Sequence, residues 1–271
     1  MLNTEKRNPK TQNIDKMSTF DILKCINEEN INVFNAIDVA IPSIEKACDK
    51  IAKIISSGGR VFYVGAGTSG RLGICDAAEC PPTFGVPFDT FVGIIAGGNN
   101  SVFRANEGAE DNPDLGKDDL ISHGVQPNDA VIGVSASGSA SYVKSALKYA
   151  KTIGAFTIAI VNNPETEMEK LADVGICADT GAEVITGSTR MKAGTSQKII
   201  LNMISTTVMI KCGYVYQNMM INLKPTNKKL TARMIRIVKE ILGCDESVAE
   251  GLLNENDWNI RKAIESVEGV R

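Results

Sequence analysis

Several common kinds of chemistry are poorly provided for in this chain. It holds one histidine, His123, in the polar stretch Ile121-Ser122-His123-Gly124. A Ser-His-Asp scheme needs an imidazole set beside the nucleophile, and this lone loop histidine is a poor source of one. The seven cysteines (Cys25, Cys48, Cys75, Cys80, Cys177, Cys212, Cys244) are odd in number and scattered, with no CxxC pair. Zinc sites draw on paired Cys or His spacings, so no metal and no cofactor is expected. Unpaired cysteines suit a reducing compartment, and all seven are read as reduced and structural. Cys80, beside Glu79, is read as a small buried filler at a helix end. The net charge of -3 gives no basic surface for nucleic acid or an anionic membrane. No apolar run approaches the roughly 20 residues that span a bilayer. The N-terminal MLNTEKRNPKTQNID has charges but no apolar core, so it is not a secretory signal. A cytoplasmic protein acting on small molecules is expected.

What is present is an apolar core. Hydrophobic residues make up 43% of 271, enough for one large α/β domain with a small appendage. A polar arm runs to about Lys16, and Ser18-Thr19 then cap a helix starting at Phe20. Residues 32–57 have apolar positions at helical spacing, with an interruption expected near Pro42 and an end at Gly58-Gly59. Strands are predicted at 60–64, 91–96, 130–134, 155–161 and 174–177, with helices at 70–79, 101–107, 139–152 and 166–171. Short β-branched runs alternating with helices predict a doubly wound parallel sheet. A long helix follows within 188–211, and a break at Pro225 precedes three amphipathic helices at 228–242, 245–254 and 257–268. Trp258 is expected to plug the core of that small bundle. The expected division is therefore 1–57 (arm and helices), 58–224 (main α/β domain) and 225–271 (helical bundle).

The stretch from Gly65 to Gly85, GAGTSGRLGICDAAECPPTFG, carries the most chemistry. A glycine-rich strand-to-helix turn presents free N–H groups at the positive end of a helix dipole, where phosphate is stabilised. Thr68 and Ser69 add hydroxyls at this turn, beside Gly67. Glu79 comes about one helix length later, before the pair Pro81-Pro82, which is expected to stop the helix. The GxGxxG spacing at 65–70 raises a dinucleotide fold, but the second strand ends in Ala96-Gly97-Gly98-Asn99-Asn100 with no acid for a ribose. A compact phosphomonoester suits the hydroxyls better. A second hydroxyl cluster (Ser135, Ser137, Ser139) follows the third strand, and a third (Thr186 to Arg190, with Ser188) precedes the long helix. Three such clusters in one α/β domain form the pattern of sugar-phosphate isomerase (SIS) domains. Arg190 and Lys192 are candidates for contact with substrate anions, and Asn106 to Asp111 sets Glu107 and Glu110 on one face if that turn is helical.

These residues also form longer blocks. Thr4-Glu5-x-Arg7-Asn8, Ile14-Asp15, Met17-Ser18-Thr19 and Ile26-Asn27-x-Glu29 lead into GAGTSGRLG (65–73), DAAECPPTFG (76–85), IIAGG (94–98), NEGAED (106–111), GAEVITGSTRMKAGTSQK (181–198) and TNKKL (226–230). On these blocks the chain resembles the N-acetylmuramic acid 6-phosphate etherases along nearly its whole length. The resemblance implies cleavage of the lactyl ether of N-acetylmuramic acid 6-phosphate, giving N-acetylglucosamine 6-phosphate and D-lactate, in cell-wall recycling. It also implies a homodimer with sites near the subunit interface, no metal, and an acid and base at Glu79 and Glu110. Two departures stand out. The family carries an Arg, a Thr and a Pro where this chain reads Ser137-Gly138-Ser139-Ala140-Ser141-Tyr142, and Ser135 or Ser139 is expected to replace the hydroxyl lost at Ala140. Family members also continue beyond the position of Arg271, and Ile264-Glu265-Ser266 replaces an apolar run.

The chemistry explains the need for two carboxylates. A dialkyl ether resists hydrolysis near neutral pH. Opening the sugar ring makes C1 an aldehyde and acidifies the C2 proton, so a base can drive the C3 lactate oxygen out by elimination. Water then adds to the alkene. One carboxylate as base and one protonated carboxyl as acid suffice. Two rival readings use the same fold: a non-catalytic sugar-phosphate sensor, and an aldose–ketose isomerase.

Overall fold

The computed structural model describes residues 1–104 and 106–268. Its main domain is built as the alternation of apolar runs dictates. After α1 (Thr19–Glu29) and α2 (Ile31–Ser56) come β1 (Val61–Gly65), α3 (Gly67–Phe84), β2 (Phe91–Ile95), the short α4 (Asn100–Phe103), α5 (Pro113–Ser122), β3 (Ala130–Ser135), α6 (Ser141–Thr152), β4 (Phe156–Val161), α7 (Glu167–Leu171), β5 (Val174–Cys177) and α8 (Lys192–Lys211). The five strands are parallel in the order β2-β1-β3-β4-β5. Successive strand residues face opposite sides. Val61, Tyr63, Ile132, Ile158 and Ile160 pack with Ile51 of α2, Cys80 of α3 and Ile204 of α8, while Phe62, Val64, Val131 and Val161 pack with Leu120 of α5, Leu147 of α6 and Met168 of α7. Each such aliphatic side chain contributes about 1.5–3 kcal/mol by leaving water. The chain moves outward from β1 to β2, then crosses to β3 on the other side of β1, so the sheet has its switch point beside β1.

Three prolines behave differently from expectation. α2 runs unbroken through Pro42. Pro42 and Asp38, whose carbonyl loses its donor, are both on the exposed side, and the opposite stripe (Ala40, Ile44, Ala47, Ile51) is held against the sheet. α3 likewise continues past Pro81-Pro82 to Phe84. The missing N–H groups fall in its last turn. Gly85 (φ 65°) closes the helix with its N–H on the Pro81 carbonyl at 2.9 Å, and the Asn222 side chain donates to the Phe84 carbonyl at 2.8 Å. The helix expected at 101–107 is the shorter α4 followed by a 3₁₀ turn, Glu107–Ala109, and α5 is an element the sequence reading did not include.

The polar arm is folded into 3₁₀ turns at Asn3–Glu5, Pro9–Thr11 and Ile14–Lys16. It is tied down by side chains: Asn163 accepts from the Thr4 N–H at 3.2 Å and donates to Thr4 Oγ1 at 3.0 Å, and Thr11 Oγ1 donates to the Val184 carbonyl at 2.8 Å. Beyond α8, a small hairpin of β6 (Val215–Tyr216) and β7 (Met219–Met220) leads to α9 (Lys228–Leu242), α10 (Glu246–Glu255) and α11 (Ile260–Glu268). Met234, Val238, Leu253, Ala263 and Ile264 form the bundle's core, and Trp258 packs at its edge, half-buried, with its indole N–H on Asn254 Oδ1 at 3.1 Å. Arg261 joins this bundle to the end of α8 by donating to the Gly213 carbonyl at 2.7 Å. Among the described residues no helix is long and apolar enough to cross a membrane.

Candidate active site

At the switch point, the ends of β1 and β3 open into a cavity of about 230 Å³ lined by Glu5, Ala66, Gly67, Thr68, Ser69, Glu110, Val134, Ser135, Ala136, Ser137, Ala140 and Thr189. The turn after β1 approaches its own helix closely: a Cβ on Gly65 would lie 2.6 Å from the Gly70 nitrogen. Only glycine fits there, and Gly67 adds a positive φ of 52° at the first turn of α3. The result is the N-terminus of an 18-residue helix opening onto the cavity.

The hydroxyls of this cradle are not equivalent. Ser69 Oγ donates to Gln197 Oε1 at 2.9 Å, and Gln197 donates onward to Asn162 Oδ1 at 2.9 Å. A serine has one hydroxyl hydrogen, so Ser69 in this state offers a ligand its backbone N–H rather than its hydroxyl. Ser137 Oγ accepts from the Ser139 N–H at 3.2 Å and from Ser139 Oγ at 2.8 Å, which leaves its own hydrogen to be directed elsewhere. Ser135 Oγ lies 3.3 Å from Ser137 Oγ and accepts from the Gly138 N–H at 3.2 Å. Ser139 supports Ser137 from an exposed position outside the cavity lining. The loop from Ser135 to Ser139 is thus a hydrogen-bonded serine nest.

Glu110 enters the cavity from the loop before α5. Its carbonyl accepts from the Tyr142 N–H at 3.0 Å, which fixes the loop to the start of α6. Burial, and then the neighbouring Asp111 charge, raise the Glu110 carboxyl above its ordinary range. The side chain of Glu107 lies outside the described residues.

Other candidates lie elsewhere. Glu79 is exposed on α3, twelve residues beyond Gly67 and so about 18 Å further along the axis, and the protomer does not bring it to the cavity. Ser188 and the exposed Arg190 are near the cavity in sequence but do not line it; Thr189 between them does. Lys192 is buried, with Nζ 2.7 Å from Glu29 Oε2. Burial opposes the Glu29 charge, but hydrogen bonds from Lys192, Lys10 and Asn8 outweigh it and hold Glu29 at about 2. Glu183, wholly buried, accepts from the N–H groups of Lys192 (3.1 Å) and Ala193 (2.9 Å) and so caps α8. Much of the GAEVITGSTRMKAGT block therefore positions α8 and the arm. Cys80 is buried with Sγ 3.3 Å from the Asp76 carbonyl, and burial, with the Asp76 charge, pushes its thiol up to about 12. It is inert packing. Glu5 and Thr189 line the cavity as well, and neither was expected there from sequence, although both lie within its motif blocks.

A parallel five-stranded sheet with a hydroxyl-rich cavity at its switch point defines an SIS-domain protein. The profile of the SIS domain matches residues 115–206, and that of the glucokinase regulatory protein N-terminal SIS domain matches residues 43–151. The phosphoheptose isomerase structures from Neisseria gonorrhoeae (TM-score 0.55, 15% identity, 70% of this chain and 98% of that one) and Francisella tularensis (TM-score 0.53, 16% identity, 71% and 98%) share the fold. Much nearer in sequence are the N-acetylmuramic acid 6-phosphate etherases of Caldanaerobacter subterraneus subsp. tengcongensis (52% identity over 98% of this chain and 87% of the relative) and Clostridium botulinum strain Loch Maree (49%, 98% and 88%). The chain belongs to the N-acetylmuramic acid 6-phosphate etherase family.

Proposed function

We propose that this enzyme cleaves the D-lactyl ether of N-acetylmuramic acid 6-phosphate to N-acetylglucosamine 6-phosphate and D-lactate, in cytoplasmic peptidoglycan recycling. The observation that carries the reading is a basic carboxylate, Glu110, facing a phosphate-type cradle in one cavity of a chain about half identical to named etherases. The N–H groups at the start of α3 and the Thr68 and Ser137 hydroxyls hold the 6-phosphate, with Ser135 and Ser139 orienting Ser137. Glu110 removes the C2 proton of the open aldehyde. Its raised affinity for protons suits a base. The lactate oxygen leaves C3 and takes a proton from Glu79, and water then adds at C3.

Glu79 meets this chemistry across a homodimer. Supporting this, large apolar side chains stand exposed on the helical side of the protomer: Phe20, Leu23, Phe34 and Val39 are 72%, 62%, 61% and 80% accessible. A second copy would cover them. Arg190, exposed beside Thr189, is available to a substrate anion at the cavity mouth.

The test is direct. Purified enzyme given N-acetylmuramic acid 6-phosphate is expected to release D-lactate stoichiometrically with N-acetylglucosamine 6-phosphate. Binding without lactate release would favour a sensor, and a ketose product an isomerase.

A further inference from the structure

We infer that Glu5, supplied by the N-terminal arm, opens the sugar ring before elimination; this rests on the etherase reading above. The elimination starts from an aldehyde, whereas the sugar is closed as a hemiacetal between C1 and O5. Opening moves one proton from O1 to O5. The group that moves it must lie in the cavity and have a free acid–base atom. His123 does not qualify: it ends α5, exposed, with Nδ1 at 2.8 Å from the Asp119 carbonyl, and is absent from the cavity lining. Among the described residues no lysine or arginine lines the cavity either. Among the described residues, its carboxylates are Glu110, occupied at C2, and Glu5.

The arm is built to present Glu5. On one side Thr4 is buried and bonded twice to Asn163, whose side chain also donates to the Ala136 carbonyl of the serine loop at 2.9 Å. On the other side Asn8 donates to Glu29 at 2.8 Å and to the Ala182 carbonyl at 3.3 Å. Between these anchors, the Glu5 carboxylate makes no hydrogen bond or ion pair among the described residues. Gly187, at φ 74°, leaves room for it: a Cβ there would come within 3.3 Å of Glu5 Oε2. A carboxylate left unpaired while the chain on both sides of it is tied down, at Thr4 and at Asn8, is placed to act on a ligand. In the step itself, one Glu5 oxygen takes the proton from O1 as the C1–O5 bond breaks and the C1 carbonyl forms. The same proton is then delivered to O5, and Glu5 returns to its starting state.

The experiment compares Glu5→Gln with wild type on two substrates. One is N-acetylmuramic acid 6-phosphate; the other is its 4,5-dideoxy analogue, which lacks the hydroxyls that close a ring and remains an aldehyde. Glu5→Gln is expected to slow lactate release from the cyclic substrate by about tenfold or more, less than full acid–base help because rings also open unaided, and to leave release from the analogue within about twofold. The dissociation constant for N-acetylglucosamine 6-phosphate should stay within about twofold, showing that the arm and cradle are intact. Equal losses on both substrates, or no loss on the cyclic one, would overturn the assignment. Glu110→Gln, as the contrast, should fail on both. If wild type released no lactate from either substrate, the etherase reading itself would fall, a result visible without any Glu5 variant.

Discussion

A hydroxyl has one hydrogen to donate, and the serines of the cradle direct theirs to different places. Ser69 gives its hydrogen to Gln197, whereas Ser137 accepts from Ser139 and can turn its own either to Ser135, 3.3 Å away, or to a ligand. A neutral donor to a charged phosphate is worth about 1.5–3 kcal/mol. Ser137→Ala should therefore raise the dissociation constant of N-acetylglucosamine 6-phosphate about tenfold or more, measured by calorimetry, and an unchanged constant would remove Ser137 from the site. Ser69→Ala should weaken binding too, through loss of the Gln197 contact that sets the turn. For the carboxylates, Glu79→Gln or Glu110→Gln should each lower turnover by roughly 10²–10⁴-fold. The two should differ in one respect: Glu79→Gln should still exchange the C2 proton with solvent, seen by proton NMR in heavy water, and Glu110→Gln should not. The raised Glu110 value also sets a pH limb. A base must be ionised, so kcat/KM should be full above that value and fall as pH drops through it, at a pH above the ordinary carboxylate range. A limb that persisted unchanged in Glu110→Gln would assign it elsewhere.

At the scale of elements, the pair of Glu29 in α1 and Lys192 in α8 is a buried clamp between segments 163 residues apart. Removing one partner leaves a buried charge, and Lys192→Met should cost about 3–5 kcal/mol in denaturant unfolding. Glu29 is held down at about 2, below its ordinary value of 4.5. Its stabilisation is therefore full above pH 4.5 and lost as pH falls toward 2, so the stability gap between wild type and Glu29→Gln should narrow across that window. A gap independent of pH would contradict the pairing. This clamp had no local signature, and Lys192 read as a candidate for substrate anions for that reason. The strands were legible within a residue or two because buried parallel strands are continuous β-branched runs. α5 was not, because PDLGKDDLIS buries only Gly116 and Leu120, although Asn112 and Pro113 supply the capping signals that mark its start. Proline was over-read as an interruption at Pro42 and as a stop at Pro81-Pro82, where tertiary packing outweighs the lost hydrogen bonds. The hydroxyl loops were legible as local motifs. Glu5 and Thr189 join the cavity through long-range packing that periodicity does not report.

At the scale of the whole molecule, the protomer separates the two glutamates proposed as acid and base, and the exposed apolar helices supply the surface that would reunite them. Phe34→Glu, at a 61% exposed position, should give a monomer in analytical ultracentrifugation that retains ligand binding but loses turnover. If each site combines Glu79 of one subunit with Glu110 of the other, mixing and reassociating the two inactive variants should restore about a quarter of wild-type activity, because half the dimers then hold one intact site. No restoration would place both glutamates in one subunit. Cleavage of the bond between C3 and the lactate oxygen by elimination is the decisive step, and isotope labelling tests it most directly. The reaction is run in heavy water enriched in oxygen-18, and both products are read by mass spectrometry and NMR. Elimination followed by water addition predicts oxygen-18 on C3 and deuterium on C2 of N-acetylglucosamine 6-phosphate, with the lactate hydroxyl unlabelled. Oxygen-18 in the lactate hydroxyl would mean that water attacks the lactyl carbon instead, and that the reaction does not run by elimination at C3.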